Sequence, residues 1–470
     1  MLREWYPVCF FILYEKYIEK AGHPMEMNLF GKYSSFSTAY SGLSFYSPRN
    51  ENLIFEKEKT IEIYCQVLNR SVKLTWSLSR NMVDIPFLCG SGEPLPANRF
   101  KVSIPSESLR PGFYDLSVTA DCGGGTVGGL CAFGWKPEEM DICDTRPGDF
   151  STFWKKGLEK LAEVPLEARE SFYADYSGAQ IDDYNYARAC LPPDYDPCGH
   201  QTEKVEASKI SFAGLGGIRI YGWLAKPKGK GPFKVMLVLP GAGFAARPIP
   251  LEHARHGYLA LDIQVHGQKV DQQEYKSLPG YGADAIYDPA DRYYYHNVYL
   301  NCVQAVHYLL SREDADASRL AVVGGSQGGR LTTVVAALDK RVRAAVPAIT
   351  HFANLPYLDF ARAANDAGSD GVGMDAARGK SVRSRCLAYY DVMNFAPDVV
   401  CPVLMNVGLI DRVSPPSGVF AVYNRLRSEK KAIIPLPGLA HDWSAEFDRR
   451  AWRWLEKIWS EGKEHMPAAL

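Results

Sequence analysis

The stretch Leu320-Ala-Val-Val-Gly-Gly-Ser-Gln-Gly-Gly-Arg330 decides the fold of this chain. Its apolar first half is typical of a β-strand, and the residues after it are typical of a helix. Between the two, Ser326 lies in a Gly-x-Ser-x-Gly pattern, in which Gly324 and Gly328 remove the Cβ atoms that would crowd a tight turn. The pattern predicts a nucleophile elbow, with the backbone amide of Gln327 facing the space where an oxyanion forms. A glycine-rich turn without chemistry has the same pattern, but doubled glycines between a strand and a helix favour the elbow.

A serine of this kind needs a general base later in the chain, with an acidic residue between the two. Three histidines follow it: His351, His441 and His465. The first comes too soon after the next predicted strand, and the last lies in the tail. His441 lies directly after the apolar run 432–436 and before a closing helix rich in Trp and Leu, so it is the candidate base. Taken alone, it is equally well explained as a histidine of a surface loop.

The acid is expected at the end of the strand that precedes this histidine. Residues 402–408 are typical of such a strand, and Asp411 follows them, before a turn stiffened by Pro415 and Pro416. Its predicted role is to hold His441 in the working tautomer and to stabilise the imidazolium. Other aspartates of this part of the chain are explained as solvated loop carboxylates: Asp359, Asp366, Asp370, Asp375, Asp391 and Asp398.

A second oxyanion donor is expected in the loop after an earlier strand. The apolar run 234–239 predicts that strand, and Gly241, Ala242 and Gly243 follow it closely. We assign the backbone amide of Ala242, together with that of Gln327, to the oxyanion hole. The alternative is a plain glycine turn between a strand and a helix.

The stretch 148–443 resembles carbohydrate esterase family seven, which comprises acetyl xylan esterases and cephalosporin C deacetylases. The resemblance is carried by the following segments: Gly324-Gly-Ser-Gln-Gly-Gly329, Tyr293-Tyr-Tyr-His-Asn-Val-Tyr-Leu300, Gly408-Leu-Ile-Asp-Arg-Val-Ser-Pro-Pro-Ser417, His441 and Gly148-Asp-Phe-Ser-Thr-Phe-Trp-Lys-Lys156. It implies an α/β-hydrolase that removes acetyl groups from sugar hydroxyls, such as those of acetylated xylo-oligosaccharides, without a cofactor. The family's nucleophile, acid and base fall on Ser326, Asp411 and His441, and the resemblance also implies a homo-oligomer.

Two segments depart from the family pattern. The family's Arg-Gly-Gln signature is His266-Gly267-Gln268 here, so a bidentate guanidinium is replaced by an imidazole. The family's His-Gly-Tyr oxyanion loop is Pro240-Gly241-Ala242, which keeps the backbone donor and loses an aromatic wall. Both changes affect the expected substrate more than the expected chemistry, and His266 is better explained as a structural histidine.

Two domains are predicted, an N-terminal β-sandwich at residues 1–138 and an α/β-hydrolase domain at residues 139–470. Short alternating β-type runs occupy about residues 28–136, with Trp76 as a core anchor. A helix over 149–163 joins this part to a hairpin and then to alternating strands and helices, the pattern of a mainly parallel sheet covered by helices. The segments 265–290 and 350–396 are interpreted as insertions over the strand ends, and the sandwich receives an accessory role.

The composition agrees with a soluble enzyme of ordinary charge balance. The 470 residues include 53 Lys and Arg against 54 Asp and Glu, a net charge of −1. This balance argues against nucleic acid or an anionic membrane as a partner and favours a neutral small molecule. The N-terminal apolar run 6–14 lacks a cleavage site, and eleven scattered cysteines have no metal-type spacing, so a cytoplasmic location is favoured over a periplasmic or secreted one.

Two other functions share these features. A serine peptidase of the prolyl-oligopeptidase type has a similar elbow, but its usual N-terminal propeller needs more β-rich sequence than precedes residue 149. A noncatalytic carbohydrate-binding protein on a hydrolase scaffold does not need the serine, the acid and the base, and all three are retained here.

Overall fold

A computed structural model describes residues 42–68, 71–189, 196–243, 246–267, 269–272, 280–369 and 381–461. The strands are β1 Leu43–Tyr46, β2 Ile54–Phe55, β3 Thr60–Val67, β4 Lys73–Arg80, β5 Leu88–Ser91, β6 Glu93–Leu95, β7 Arg99–Pro105, β8 Gly112–Asp121, β9 Thr126–Trp135, β10 Arg169–Ser177, β11 Lys204–Ala213, β12 Arg219–Pro227, β13 Phe233–Leu239, β14 Tyr258–Gln264, β15 Ala315–Gly325, β16 Ala344–Ala348, β17 Val403–Gly408 and β18 Lys431–Leu436. The helices are α1 Phe150–Ala162, α2 Gly178–Ala189, α3 Leu251–Arg255, α4 Tyr295–Leu310, α5 Gln327–Leu338, α6 Leu355–Ala367, α7 Val382–Leu387, α8 Pro416–Arg425 and α9 Ala445–Glu461.

The first nine strands form two facing sheets, a four-stranded sheet ordered β1-β3-β7-β6 and a five-stranded sheet ordered β2-β9-β8-β4-β5. Alternation builds the core, since Ile61, Ile63 and Cys65 on β3 are fully buried while their neighbours are not. Trp76 is 8 % exposed, and Gly90 on the paired strand leaves room for it, because a Cβ there would lie 2.6 Å from the indole. The predicted β-sandwich with Trp76 in its core is confirmed.

The other nine strands form one sheet, ordered β10-β11-β12-β14-β13-β15-β16-β17-β18. Neighbouring strands among β10, β11, β12 and β14 are antiparallel. The six strands β14, β13, β15, β16, β17 and β18 run parallel to one another. β15 lies between β13 and β16, so the elbow that ends it is at the middle of the carboxyl edge. The predicted α/β-hydrolase fold is confirmed, and this edge is where such sheets place their sites.

Several elements of this region were not predicted from the sequence, among them β10, α6 and α7. β10 is an edge strand with most of its side chains exposed, so it lacks the apolar alternation that identifies a half-buried strand. The helices α6 and α7 lie inside the segment 350–396, which the sequence indicated only as an insertion. On α6 just three side chains are buried, Phe360, Ala361 and Ala364, and this short stripe packs against Val83 of the β-sandwich.

The predicted domain boundary at residue 138 falls in the connection between β9 and α1 and stays a prediction. The two regions share one packed core, in which the rings of Phe113 on β8 and Phe420 on α8 are 4.9 Å apart. Arg425 at the end of α8 also pairs with Asp144 of the connection, with 2.9 Å between Nη2 and Oδ1. The β-sandwich is therefore packed against the hydrolase region, and the connection that follows it is joined to α8 by an ion pair.

In the described part of the chain, no disulfide joins the nine cysteines, which are Cys65, Cys89, Cys122, Cys131, Cys143, Cys198, Cys302, Cys386 and Cys401. Cys9 and Cys190 lie outside the described residues. None of the helices described is both long enough and apolar enough to cross a membrane.

The closing helix α9 buries one carboxyl group, that of Asp448. Loss of solvation raises the pKa of Asp448 from 3.8 to about 8, and nearby Arg449 opposes this only in part. Because the folded protein holds this proton more tightly than the unfolded chain, stability is lost as the pH rises from about 4 to about 8. We expect Asp448→Asn to flatten the fall of Tm between pH 6 and pH 9, measured by thermal unfolding. Glu446→Gln, an exposed change in the same turn, is the control and should follow the wild type; a wild-type slope in Asp448→Asn would contradict the prediction.

Candidate active site

Ser326 occupies the turn between β15 and α5 in a strained backbone conformation. Its φ of 58° and ψ of −117° lie outside the regions that residues with a Cβ ordinarily adopt. Two backbone hydrogen bonds to the neighbouring strand and its loop hold the turn. The Ser326 amide donates to the Ala348 carbonyl at 3.0 Å, and the His351 amide donates to the Ser326 carbonyl at 3.2 Å. The strain is thus maintained by β16 and presents the serine side chain at the sheet edge.

The glycines around the serine are required by close backbone contacts. A Cβ on Gly328 would lie 2.3 Å from the Leu239 carbonyl oxygen, and one on Gly324 would lie 2.7 Å from the Gly328 carbonyl carbon. Gly325 differs, because its Cβ would meet no atom closer than the Ala348 Cβ at 3.9 Å. The turn therefore depends on two glycines of the pattern and tolerates a side chain between them.

The imidazole of His441 lies between Ser326 and Asp411. Its Nε2 is 2.9 Å from the serine Oγ, and its Nδ1 is 2.8 Å from Oδ2 of the aspartate. Asp411 is fully buried, whereas the His441 side chain is 24 % exposed. The three residues predicted from chain order thus form one hydrogen-bonded chain, in which the imidazole is partly exposed to solvent.

The aspartate is held by the turn that follows it. Its Oδ1 accepts hydrogen bonds from the Val413 and Ser414 amides, each at 2.8 Å, which leaves Oδ2 for His441. At the end of β17, a Cβ on Gly408 would lie 2.3 Å from the Leu439 carbonyl oxygen. This glycine lets the loop that carries the histidine approach the loop that carries the aspartate.

His351, which the sequence excluded as the base, lies beside the same turn. Its Nδ1 donates to the Val413 carbonyl at 3.0 Å. Loss of solvation lowers the pKa of His351 to about 4, and His441 adds to the effect. It is therefore neutral at physiological pH and ties the loop after β16 to the turn after Asp411.

Gln327 has a second role that the sequence did not indicate. Its amide belongs to the first turn of α5, where N–H groups have no partner within the helix. Its buried side chain accepts a hydrogen bond from the Tyr295 hydroxyl at 2.7 Å and donates to the Gly241 carbonyl at 3.3 Å. The elbow is thus linked to the loop that carries Ala242, the other predicted oxyanion donor, which is exposed.

Arg330 places a buried positive charge one helical turn after the serine. Its guanidinium carbon is 3.8 Å from the centre of the Tyr295 ring, 4.0 Å from that of Phe352 and 4.9 Å from that of Tyr299. The Arg330 Nε donates to the Tyr299 hydroxyl, while Nη2 has no partner among the described residues. Cation–π contacts are therefore its main support. Sequence reasoning missed this residue. The signal was a single charged residue in a predicted helix that otherwise has no charged side chain.

His266 lies at the end of β14, where the family has an arginine. It is buried, and its Nδ1 is 2.8 Å from the Tyr294 hydroxyl. Desolvation lowers the pKa of His266 to about 4, so the ring is neutral. These contacts support the interpretation as a structural histidine. Gln268, the third residue of that signature, lies outside the described residues.

One group in the described residues has metal-ligating atoms close together, namely Asp196, His200 and His256, whose ligand atoms lie within 4.8 Å of one another. The two histidines are already hydrogen-bonded to Glu252, and His256 Nε2 is 3.3 Å from Asp196 Oδ1. His200 Nε2 is 2.8 Å from Glu252 Oε1, and His256 Nδ1 is 2.9 Å from the Glu252 carbonyl oxygen. His256 also precedes the amino end of β14, so the group lies at the opposite edge of the sheet from the serine.

The model of the family described as "Acetyl xylan esterase (AXE1)" matches residues 184–458, more than half of the chain. The chain belongs to the acetyl xylan esterase family. It is also 30 % identical over 367 residues to "Acetyl esterase Axe7A" of Xylanibacter ruminicola, and this match covers 74 % of the chain and 75 % of that protein.

Two solved structures support the assignment of this chain to the acetyl xylan esterase family. The acetyl xylan esterase from Paenibacillus sp. R4 has a TM-score of 0.53 at 28 % identity, covering 68 % of the chain and 98 % of its own. Acetyl xylan esterase 1 from Thermoanaerobacterium sp. JW/SL YS485 has a TM-score of 0.53 at 25 % identity. This match covers 68 % of the chain and 97 % of the solved structure's chain. About a third of the esterase is thus unmatched in each of them.

The esterase is a carboxylic ester hydrolase, and the predicted family is confirmed. Neither the peptidase nor the noncatalytic binding protein that shared its sequence features is favoured by these relatives. The family model begins at residue 184, which lies after the β-sandwich, so the sandwich is outside the matched region.

Proposed function

We propose that this esterase removes acetyl groups from the hydroxyls of sugars, such as those of acetylated xylo-oligosaccharides, and that Ser326, Asp411 and His441 are its catalytic triad. The observation that carries the proposal is the His441 imidazole, which lies within hydrogen-bond distance of both partners. The family and the names of its relatives support the acetyl ester as the bond that is cleaved.

In the first half of the reaction, the Ser326 Oγ attacks the acetyl carbonyl carbon while His441 Nε2 accepts the serine proton. Asp411 Oδ2 accepts the hydrogen bond of Nδ1–H and stabilises the imidazolium. The amides of Gln327 and Ala242 donate to the tetrahedral oxyanion. When the intermediate collapses, the imidazolium gives its proton to the sugar oxygen, and the sugar leaves with a free hydroxyl.

The second half reverses these roles. His441 Nε2 takes a proton from water as the water oxygen attacks the acetyl-serine carbonyl carbon. The second tetrahedral intermediate expels the Ser326 oxygen, which recovers its proton from His441, and acetate leaves. Protein groups carry each of these proton transfers, so the described residues account for the cycle.

A panel of substrates tests the proposed bond and the proposed sugar. We expect the highest kcat/KM for acetylated xylo-oligosaccharides, and acetates should be cleaved faster than butyrates or octanoates of the same alcohol. Other sugar acetates and cephalosporin C show which alcohol the enzyme prefers as the leaving group. Peptide p-nitroanilides test for peptidase activity. The rate with each substrate is corrected with the Ser326→Ala variant, which measures hydrolysis that does not depend on the serine. Preferred cleavage of anilides, or of long acyl esters, would contradict the proposal.

A further inference from the structure

The loop between β4 and β5 of the β-sandwich lies against the turn that follows Asp411. Arg412, the next residue, reaches into the sandwich with both guanidinium nitrogens. Its Nη2 is 2.8 Å from Oδ1 of Asp84, and its Nη1 is 3.3 Å from Oδ2 of Asp115. Asp115 lies on β8 and is 4 % exposed, so this ion pair is anchored in the interior of the sandwich.

A hydrogen-bond chain connects the same buried carboxylate to helix α8. Asp115 Oδ1 accepts from Asn81 Nδ2 at 3.0 Å, and Asn81 Oδ1 accepts from the Ser417 hydroxyl at 3.0 Å. The Asn81 carbonyl also accepts from the Tyr357 hydroxyl of α6 at 2.6 Å. The residues that follow Asp411 are thus held at two points, Arg412 and Ser417, by one cluster of the β-sandwich.

The loop that carries this cluster is itself fixed by packing. Val83 is 1 % exposed and packs against Phe360 of α6. The Asp84 amide donates to Asn365 Oδ1 at 2.8 Å, and Asn365 Nδ2 donates to the Met82 carbonyl at 3.1 Å. Apolar burial and paired backbone groups therefore make the loop a rigid support.

We propose that the N-terminal β-sandwich positions the triad aspartate, with Arg412, Asp115 and Asn81 as positioning residues. The inference rests on the proposed function, because it assumes that Asp411 orients His441. Arg412 lies between Asp411 and the two amides, of Val413 and Ser414, that hold Oδ1 of the aspartate. A shift of Arg412 therefore shifts these donors and turns Oδ2 away from the imidazole. The sandwich, which lies outside the matched family region, becomes a structural part of the catalytic unit.

Arg412→Met tests the inference, because it keeps most of the length of the side chain and removes its ion pairs. Misplacement by a fraction of an ångström at a catalytic group lowers the rate, so we expect kcat to fall roughly tenfold with KM changed by less than about twofold. Arg412→Lys should restore part of the loss, since a single ammonium can still pair with Asp115. Asp84→Asn, at an exposed side chain, should lower kcat less than Arg412→Met does.

Arg425→Met is the matched control. Arg425 forms an ion pair of the same kind between α8 and the connection before α1, with 2.9 Å between Nη2 and Asp144 Oδ1. It does not contact the turn after Asp411 in the described residues, so kcat should equal that of the wild type. A fall in kcat equal to that of Arg412→Met would mean that the loss of any ion pair in this part of the structure has this effect, and would overturn the inference.

All kcat values are expressed per active site, counted by titration with a p-nitrophenyl organophosphonate that labels the nucleophile. Molecules that fail to fold are not counted, so a loss of stability lowers the titre and leaves kcat per site unchanged. If the wild type is labelled and Arg412→Met retains the wild-type kcat per site, the positioning role is wrong. If the wild type is not labelled at Ser326, the proposed function itself is wrong, so the two failures are distinguished.

Discussion

Ser326→Ala is expected to fold as the wild type does and to lose acetyl ester hydrolysis by a factor of roughly 10³ or more. The serine Oγ forms a hydrogen bond with His441, and removal of this one atom deletes the nucleophile. The backbone of the elbow is held by amides and carbonyls, of Ala348 and His351, which the substitution leaves in place. Initial rates with p-nitrophenyl acetate measure the loss of hydrolysis, and circular dichroism and Tm measure whether the variant folds as the wild type does.

Ser318→Ala is the control for this variant. Ser318 lies on the same strand, β15, eight residues before the elbow, and is exposed. Its removal should leave the rate and the organophosphonate labelling unchanged. A folded Ser326→Ala enzyme with wild-type turnover would mean that another residue attacks the ester.

The proposed triad was predictable because each of its members lies in a loop or turn that follows a strand. A parallel sheet brings the carboxyl ends of its strands to one edge, so chain order and strand pattern together indicated Ser326, Asp411 and His441. The distances from His441 to Ser326 and Asp411 depend on the conformations of the three loops, which no sequence pattern indicated. Thus the candidates came from the sequence, whereas their geometry came from the structure.

The long-range contacts that support the proposed triad were not predictable, because they join residues far apart in the chain. Asn81 and Ser417 are separated by 336 positions, and the residues around neither of them indicate the other as a partner. Likewise, the Gln327 side chain at the start of α5 meets Tyr295 of α4 and Gly241 of the loop after β13, three segments that are far apart in the chain. A local pattern reports burial and periodicity, and therefore it identifies an element without identifying its partner.

The edge strand β10 and the helix α6 show why parts of the fold were missed. β10 exposes most of its side chains and is held by backbone pairing with β11, which leaves no trace in hydrophobicity. α6 buries only one narrow stripe, and part of its partner surface belongs to the β-sandwich. Both are stabilised by tertiary contacts, so their apolar signals are weak.

Gly328→Ala is expected to lower kcat by roughly a hundredfold or more, because misplacement of a catalytic group by about 1 Å has an effect of this size. The new methyl group would lie 2.3 Å from the Leu239 carbonyl oxygen and 3.2 Å from that of Pro240. Both contacts are with backbone, so no side-chain rotation relieves them, and either α5 or the end of β13 must move. The first movement displaces the Gln327 amide, and the second displaces the loop that carries Ala242. In either case the nucleophile and the two proposed oxyanion donors lose their relative positions.

Gly325→Ala adds the same methyl group three residues away and is the matched control. There the methyl would meet only the Ala348 Cβ at 3.9 Å and the Ile349 Cγ1 at 4.0 Å, which are ordinary van der Waals contacts. We therefore expect it to retain most of the wild-type kcat. The ratio of the kcat values of the two variants separates the effect of the steric clash from the general effect of replacing a glycine near the serine. If both variants lost activity equally, the flexibility of the elbow, and not the contact with Leu239, would explain its glycines.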